Sequence, residues 1–77
     1  MESRVTRTEI TATVTGSVWD VSVSVGDTVS AGDELVVAEA MKMEIAIEAT
    51  VAGTVVELHV SKDDEIEEGA VIAVIES

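Results

Sequence analysis

Two patterns compete along this chain. Trp19-Asp20-Val21-Ser22-Val23-Ser24-Val25 alternates apolar with polar positions, the period of a strand with one buried face. Ala31 to Ala49 is instead rich in Ala, Glu, Leu, Met and Lys, good helix formers that alone would read as a helix. An internal repeat arbitrates. Setting Val5–Glu39 against Lys42–Glu76 at an offset of 37, without a gap, matches Ile10 with Ile47, Ala12 with Ala49, Val14 with Val51, Gly16 with Gly53 and Val18 with Val55. It also matches Val23 with Val60, Asp27 with Asp64, Gly32 with Gly69, Val37 with Val74 and Glu39 with Glu76. Leu35–Glu39 then falls on Ile72–Glu76, where Val71-Ile72-Ala73-Val74-Ile75 is β-branched enough to be a strand, so the first half is strand too.

Each half is therefore expected to hold four short strands: about Val5–Thr11, Gly16–Val25, Thr28–Val29 and Glu34–Glu39, then Met43–Ala49, Gly53–Val60, Glu65–Ile66 and Val71–Ile75. Turns are expected at Gly26-Asp27, Ala31-Gly32-Asp33, Asp63-Asp64 and Glu68-Gly69, whose residues tolerate positive φ or bond their own backbone. Fifteen Val, six Ile and eight Thr reinforce an all-β reading, and the absence of proline leaves the strands uninterrupted. The expected fold is a flattened β-barrel or sandwich with quasi-two-fold symmetry, a single domain over 1–77 in which each half covers the apolar face of the other. Residues 40–42 join the halves, which puts Lys42 on an exposed tight turn. The chain ends occupy the symmetry-equivalent junction and are expected near each other, at the opposite end of the body.

Composition narrows the function. With 77 residues there is room for one core and no deep cleft. Cysteine is absent, removing disulfides, thiolate metal sites and cysteine nucleophiles together. A net charge of −12 speaks against nucleic acid and against anionic membranes as partners. That acidity fits solubility or a high-salt habitat, and it also fits a face steering toward a basic partner. No apolar run reaches the roughly 18 residues a membrane span needs, and Met1 to Ile10 does not read as a signal peptide, so a cytoplasmic location is expected.

Against sixteen carboxylates stand only Arg4, Arg7, Lys42 and Lys62. Lys42 lies in Glu39-Ala40-Met41-Lys42-Met43-Glu44, between two methionines at the junction of the repeats. Its amine, once deprotonated, is a nucleophile on a flexible four-carbon stem, able to form an amide or Schiff base with an activated carbonyl, as arginine is not. One histidine and no cysteine supply no nucleophile and base pair for an independent enzyme.

The motif Glu-Ala-Met-Lys-Met-Glu between two β half-repeats resembles the biotinyl attachment domain of biotin-dependent carboxylases, over roughly Thr8 to Glu76. Val25-Gly26-Asp27-Thr28-Val29 with Gly32, and Glu48 to Val55, extend the likeness. The resemblance implies biotin joined to the Lys42 ε-nitrogen as N6-biotinyllysine by a biotin protein ligase acting through biotinyl-AMP, with Glu39, Ala40, Met41, Met43 and Glu44 as the flanking frame. It implies two further partners: a biotin carboxylase that carboxylates the ring nitrogen, and a carboxyltransferase that passes the carboxyl group to an acceptor, such as an acyl-CoA in acetyl-CoA carboxylase and fatty acid biosynthesis. The domain itself would be a non-catalytic carrier. Lipoyl domains share the fold and usually have Asp-Lys-Ala at this turn, so Met41 and Met43 favour biotin; the alternative is a lipoyl carrier domain of a 2-oxoacid dehydrogenase-type complex.

The chain departs from the family in having Thr13 and Thr50 where proline is common. It carries no inserted thumb between Val18 and Val29 and no Ala/Pro-rich linker before Val5, and so resembles the small free-standing attachment proteins, in which Trp similarly follows Gly by three positions, as in Gly16 and Trp19. Trp19 is expected to point inward with Val21 and Val23. His59 falls on the polar face of a strand, without a second histidine to share a metal, and no metal site is expected. Asp63 to Glu68 lacks the ligand spacing of an EF-hand and reads as a solvated acidic turn. Lys62, beside a turn and without a methionine frame, is an internal control for Lys42.

Overall fold

A computed structural model describes residues 5–77. Eight strands follow one another: β1 (Arg7–Thr11), β2 (Gly16–Val21), β3 (Thr28–Val29), β4 (Glu34–Ala40), β5 (Met43–Glu48), β6 (Gly53–Leu58), β7 (Glu65–Ile66) and β8 (Val71–Glu76). They form two four-stranded antiparallel sheets, ordered β1-β8-β6-β3 and β5-β4-β2-β7. Advancing each strand by half the chain turns the first order into the second, so the sequence repeat is a structural pseudo-two-fold. The described chain is all-β, as the alternation predicts, and the Ala/Glu/Leu/Met-rich stretch is β4, a turn and β5.

The core follows the same symmetry. Its buried cluster consists of Ile10/Ile47, Ala12/Ala49, Val18/Val55, Val29/Ile66, Leu35/Ile72, Val36/Ala73 and Ala38/Ile75, every pair separated by the repeat offset. Large and small are exchanged between mates, Val36 and Ala38 in one sheet against Ala73 and Ile75 in the other, so the halves interlock without duplicating volumes.

Bulges adjust which side chains face inward. The β4–β5 register slips between Glu34 and Val36, leaving Leu35 unpaired, and the β1–β8 register slips so that Ile72 is skipped in the same way. Leu35 and Ile72 are thereby fully buried beside inward-facing neighbours, breaking strict alternation. A second pair of slips lies between Val18 and Asp20 in β2 and between Val55 and Glu57 in β6.

The expectation that Trp19 points into the core is corrected by that slip. Val18 and Val21 face inward, and Trp19, the extra residue between them, is 50% exposed. The bulge inserts one residue and shifts the parity that strict alternation assumes. β2 and β6 also end earlier than expected, at Val21 and Leu58 rather than Val25 and Val60. The residues that follow enter turns in which the Ser24 and Ser61 amides donate to Asp27 Oδ2 and Asp64 Oδ2, at 2.9 and 2.8 Å.

Four chain reversals share one form. Gly26, Gly32, Asp63 and Gly69 take positive φ of 100°, 93°, 75° and 90°, each just before a residue whose amide donates to the carbonyl three positions back. Three are glycines, as such turns demand; Asp63 stands where its repeat mate is Gly26.

Candidate functional site

β4 and β5 form a tight hairpin. Ala40 pairs with Met43, leaving a connection of Met41 and Lys42 alone, with φ of 53° and 62°. Two residues with positive φ are the requirement of a type I′ hairpin, whose twist matches that of its strands and which normally takes Asn-Gly. A residue with a Cβ pays about 1–2 kcal/mol for this conformation, and here both positions carry one. The sequence expectation of Lys42 on an exposed tight turn is met, and the turn is tighter and more strained than the sequence shows.

Lys42 is exposed and forms no ion pair among the described residues. Its neighbours are exposed too, Met41 at 94% and Met43 at 63%, so neither methionine fills a gap in the core. Ala40, by contrast, is half-buried at the base of the turn. Gly16 holds that base: a Cβ there would collide with the Glu39 carbonyl oxygen and come within 3.1 Å of the Ala40 Cβ. The absent side chain lets β2 press against β4 beneath the tip.

Glu39 and Glu44 face each other one step below the turn. Ser17 pairs with Glu39 on one side and with Glu65 on the other, so Glu44, Glu39, Ser17 and Glu65 form one row across the sheet. Lys42 thus rises as the lone cation of its hairpin from an acidic surface. The equivalent row in the other sheet differs: Arg7 stands where Glu44 does, and its Nε donates to Glu76 Oε2 at 3.1 Å. The ladder pair at the base of the turn, Ala40 with Met43, has as its repeat mate the pair Ser77 with Thr6, whose backbones exchange hydrogen bonds of 3.2 and 2.9 Å. The ends therefore lie near each other, as the repeat predicts.

The remaining residues singled out by sequence stand apart from the turn. His59, just past β6 in the other sheet, has its Nε2 2.8 Å from Glu57 Oε1, and the other oxygen of that carboxylate, Oε2, lies 3.6 Å from Arg7. Lys62 lines a shallow groove with Trp19, Asp20 and Asp63. That exposed Trp19 escaped a reading by alternation alone; the bulge that turns it outward leaves no signature in the sequence.

The family profile described as "biotin-requiring enzyme" matches residues 4–75. The chain belongs to this family of biotinyl/lipoyl domains. Among solved structures, the domain is similar to urea carboxylase from Kluyveromyces lactis, at 35% identity over 97% of this chain, with a TM-score of 0.86. It is also similar to a single-chain, multi-domain long-chain acyl-CoA carboxylase, at 31% identity over 88% of the chain, with a TM-score of 0.82. In each case the domain spans 7% of the length of the larger protein. The connection from β2 to β3, residues 22–27, corresponds without insertion to residues 59–64 between β6 and β7, so the biotinyl/lipoyl domain is of the thumbless form.

Proposed function

We propose that the protein is a biotin carboxyl carrier in which Lys42 is the attachment residue, serving a biotin-dependent carboxylase of the acyl-CoA type as a non-catalytic carrier. The observation that carries this reading is the Met41-Lys42 tip, which presents an exposed amine between two solvent-facing thioethers on a strained two-residue turn. Strain of this kind persists where function uses it, since Asn-Gly would make the same hairpin at lower cost.

The residues fit covalent biotin on physical grounds. Among the described residues Lys42 has no ion-pair partner to give up before its nitrogen attacks an activated carboxyl group. Amide formation discharges the amine, and the exposed position leaves space around a long tethered group. Bound biotin supplies a ring nitrogen that accepts and releases a carboxyl group. The chain's own part is mechanical: the hydrogen-bonded β4–β5 ladder fixes the base of the arm, and tethering raises the effective concentration of the ring at a partner's site. A biotin protein ligase, a biotin carboxylase and a carboxyltransferase are the partners this reading requires, in the cytoplasm.

Intact-mass measurement after co-expression with a biotin protein ligase tests it. One biotinyl increment is expected, retained in Lys62→Arg and absent in Lys42→Arg. An increment that survives Lys42→Arg would overturn the assignment, and a lipoyl increment on the protein from its own cells would assign the domain to a 2-oxoacid dehydrogenase-type complex instead.

A further inference from the structure

The exposed thioethers on either side of Lys42 have no role in the fold, and their chemistry differs from that of every neighbour. Cysteine is absent, and of three methionines two are Met41 and Met43. The buried core contains neither. Among the described residues, a mild peroxide therefore finds its only sulfurs, both solvent-facing, at the two positions adjoining the Lys42 amine.

We propose that Met41 and Met43 are sites of reversible oxidation to methionine sulfoxide, and that this modification closes the turn to the enzyme that acylates Lys42. The inference rests on the reading of Lys42 as the attachment residue. Hydrogen peroxide donates one oxygen to a thioether sulfur: an S–O bond forms, the O–O bond breaks, the sulfur loses two electrons and the other oxygen leaves as water. Methionine sulfoxide reductases reverse the step with reducing equivalents from a dithiol, one enzyme for each sulfoxide epimer.

The effect on Lys42 follows from geometry. In a connection of only two residues, an enzyme that encloses the Lys42 nitrogen also has to close over Met41 and Met43. At 94% and 63% exposure, both side chains present apolar area for such a partner to bury. Each sulfoxide turns a flexible apolar group into a polar, chiral one whose oxygen loses water on enclosure. The fold is untouched, because neither Met41 nor Met43 lies in the buried cluster.

The test uses the whole chain with a biotin protein ligase, ATP and biotin, and reads the initial rate of increment at Lys42 by mass spectrometry. The protein is compared untreated, after mild hydrogen peroxide, and after peroxide followed by both sulfoxide reductases. Peptide mapping confirms sulfoxide at 41 and 43, and circular dichroism confirms an unchanged fold. The rate is expected to fall about tenfold or more on oxidation and to return on reduction. In Met41→Leu/Met43→Leu, the treated and untreated rates of that variant are expected to be equal. A wild-type rate unchanged by sulfoxide at both positions overturns the inference while leaving the attachment reading intact. An untreated protein that the ligase does not modify overturns both.

Discussion

Lys42 is presented by a local conformation that its own residue type disfavours. Met41 and Lys42 both hold positive φ without being glycine or asparagine, and the ladder pair beneath them, Ala40 with Met43, has the pair Ser77 with Thr6 as its repeat mate. Met41→Asn/Lys42→Gly is therefore expected to stabilise the domain by about 2 kcal/mol against urea while abolishing modification. An unfolding midpoint no higher than that of the wild type would refute the strain. A smaller gain is expected at the turn after β6, where Asp63→Gly gives the chain the residue that its mate Gly26 already uses. Up to about 1 kcal/mol is expected there, read from the same transition, offset in part by the greater freedom of glycine in the unfolded chain.

Among the elements, the two equivalent strand pairs have been given opposite electrostatics. β1–β8 carries the pair Arg7 and Glu76, whereas β4–β5 carries Glu44 opposite Glu39. Like charges directly across a ladder cost stability, and opposite charges add a little. Glu44→Arg is expected to raise the thermal midpoint through a gain of about 0.5–1 kcal/mol, the low end of the range applying because the pair is solvent-exposed. An unchanged midpoint would show that the Glu39–Glu44 repulsion is already screened. At the base of the same hairpin, Gly16→Ala drives a methyl into the Glu39 carbonyl and is expected to cost about 1–3 kcal/mol through displacement of β2 from β4. The mate of this glycine, Gly53, has the Glu76 carbonyl 2.5 Å from where a Cβ would stand, so Gly53→Ala should behave alike.

For the molecule as a whole, charge dominates. A net −12 on 77 residues leaves the folded state under self-repulsion that the two Arg7 ion pairs among the described residues do little to offset. Raising sodium chloride from about 0.05 to 1 M shortens the screening length from more than 10 Å to about 3 Å, and the thermal midpoint is expected to climb with it. A midpoint that stays level or drops would show that the acidic surface carries no folding penalty. The same surface disfavours polyanions as partners and leaves the Lys42 amine conspicuous on its hairpin.

The gapless repeat is what made strand and turn positions legible in the sequence, because each apolar position had a mate that had to be buried by the same symmetry. Gly16, Gly26, Gly32, Gly53 and Gly69 punctuated the strands, and a lysine at the junction of the halves had to fall on a turn. Three things were decided only in three dimensions. Bulges opposite Leu35, Ile72 and Trp19 changed which face each side chain occupies, since register is settled by packing between strands and a one-residue slip reverses it. The left-handed conformation of Met41 and Lys42 was imposed by Ala40 pairing with Met43, against the preference of both residues. The exposure of both methionines likewise follows from that two-residue span, since Met41 lies beyond the last ladder pair and Met43 belongs to it, at the tip where the buried cluster does not extend.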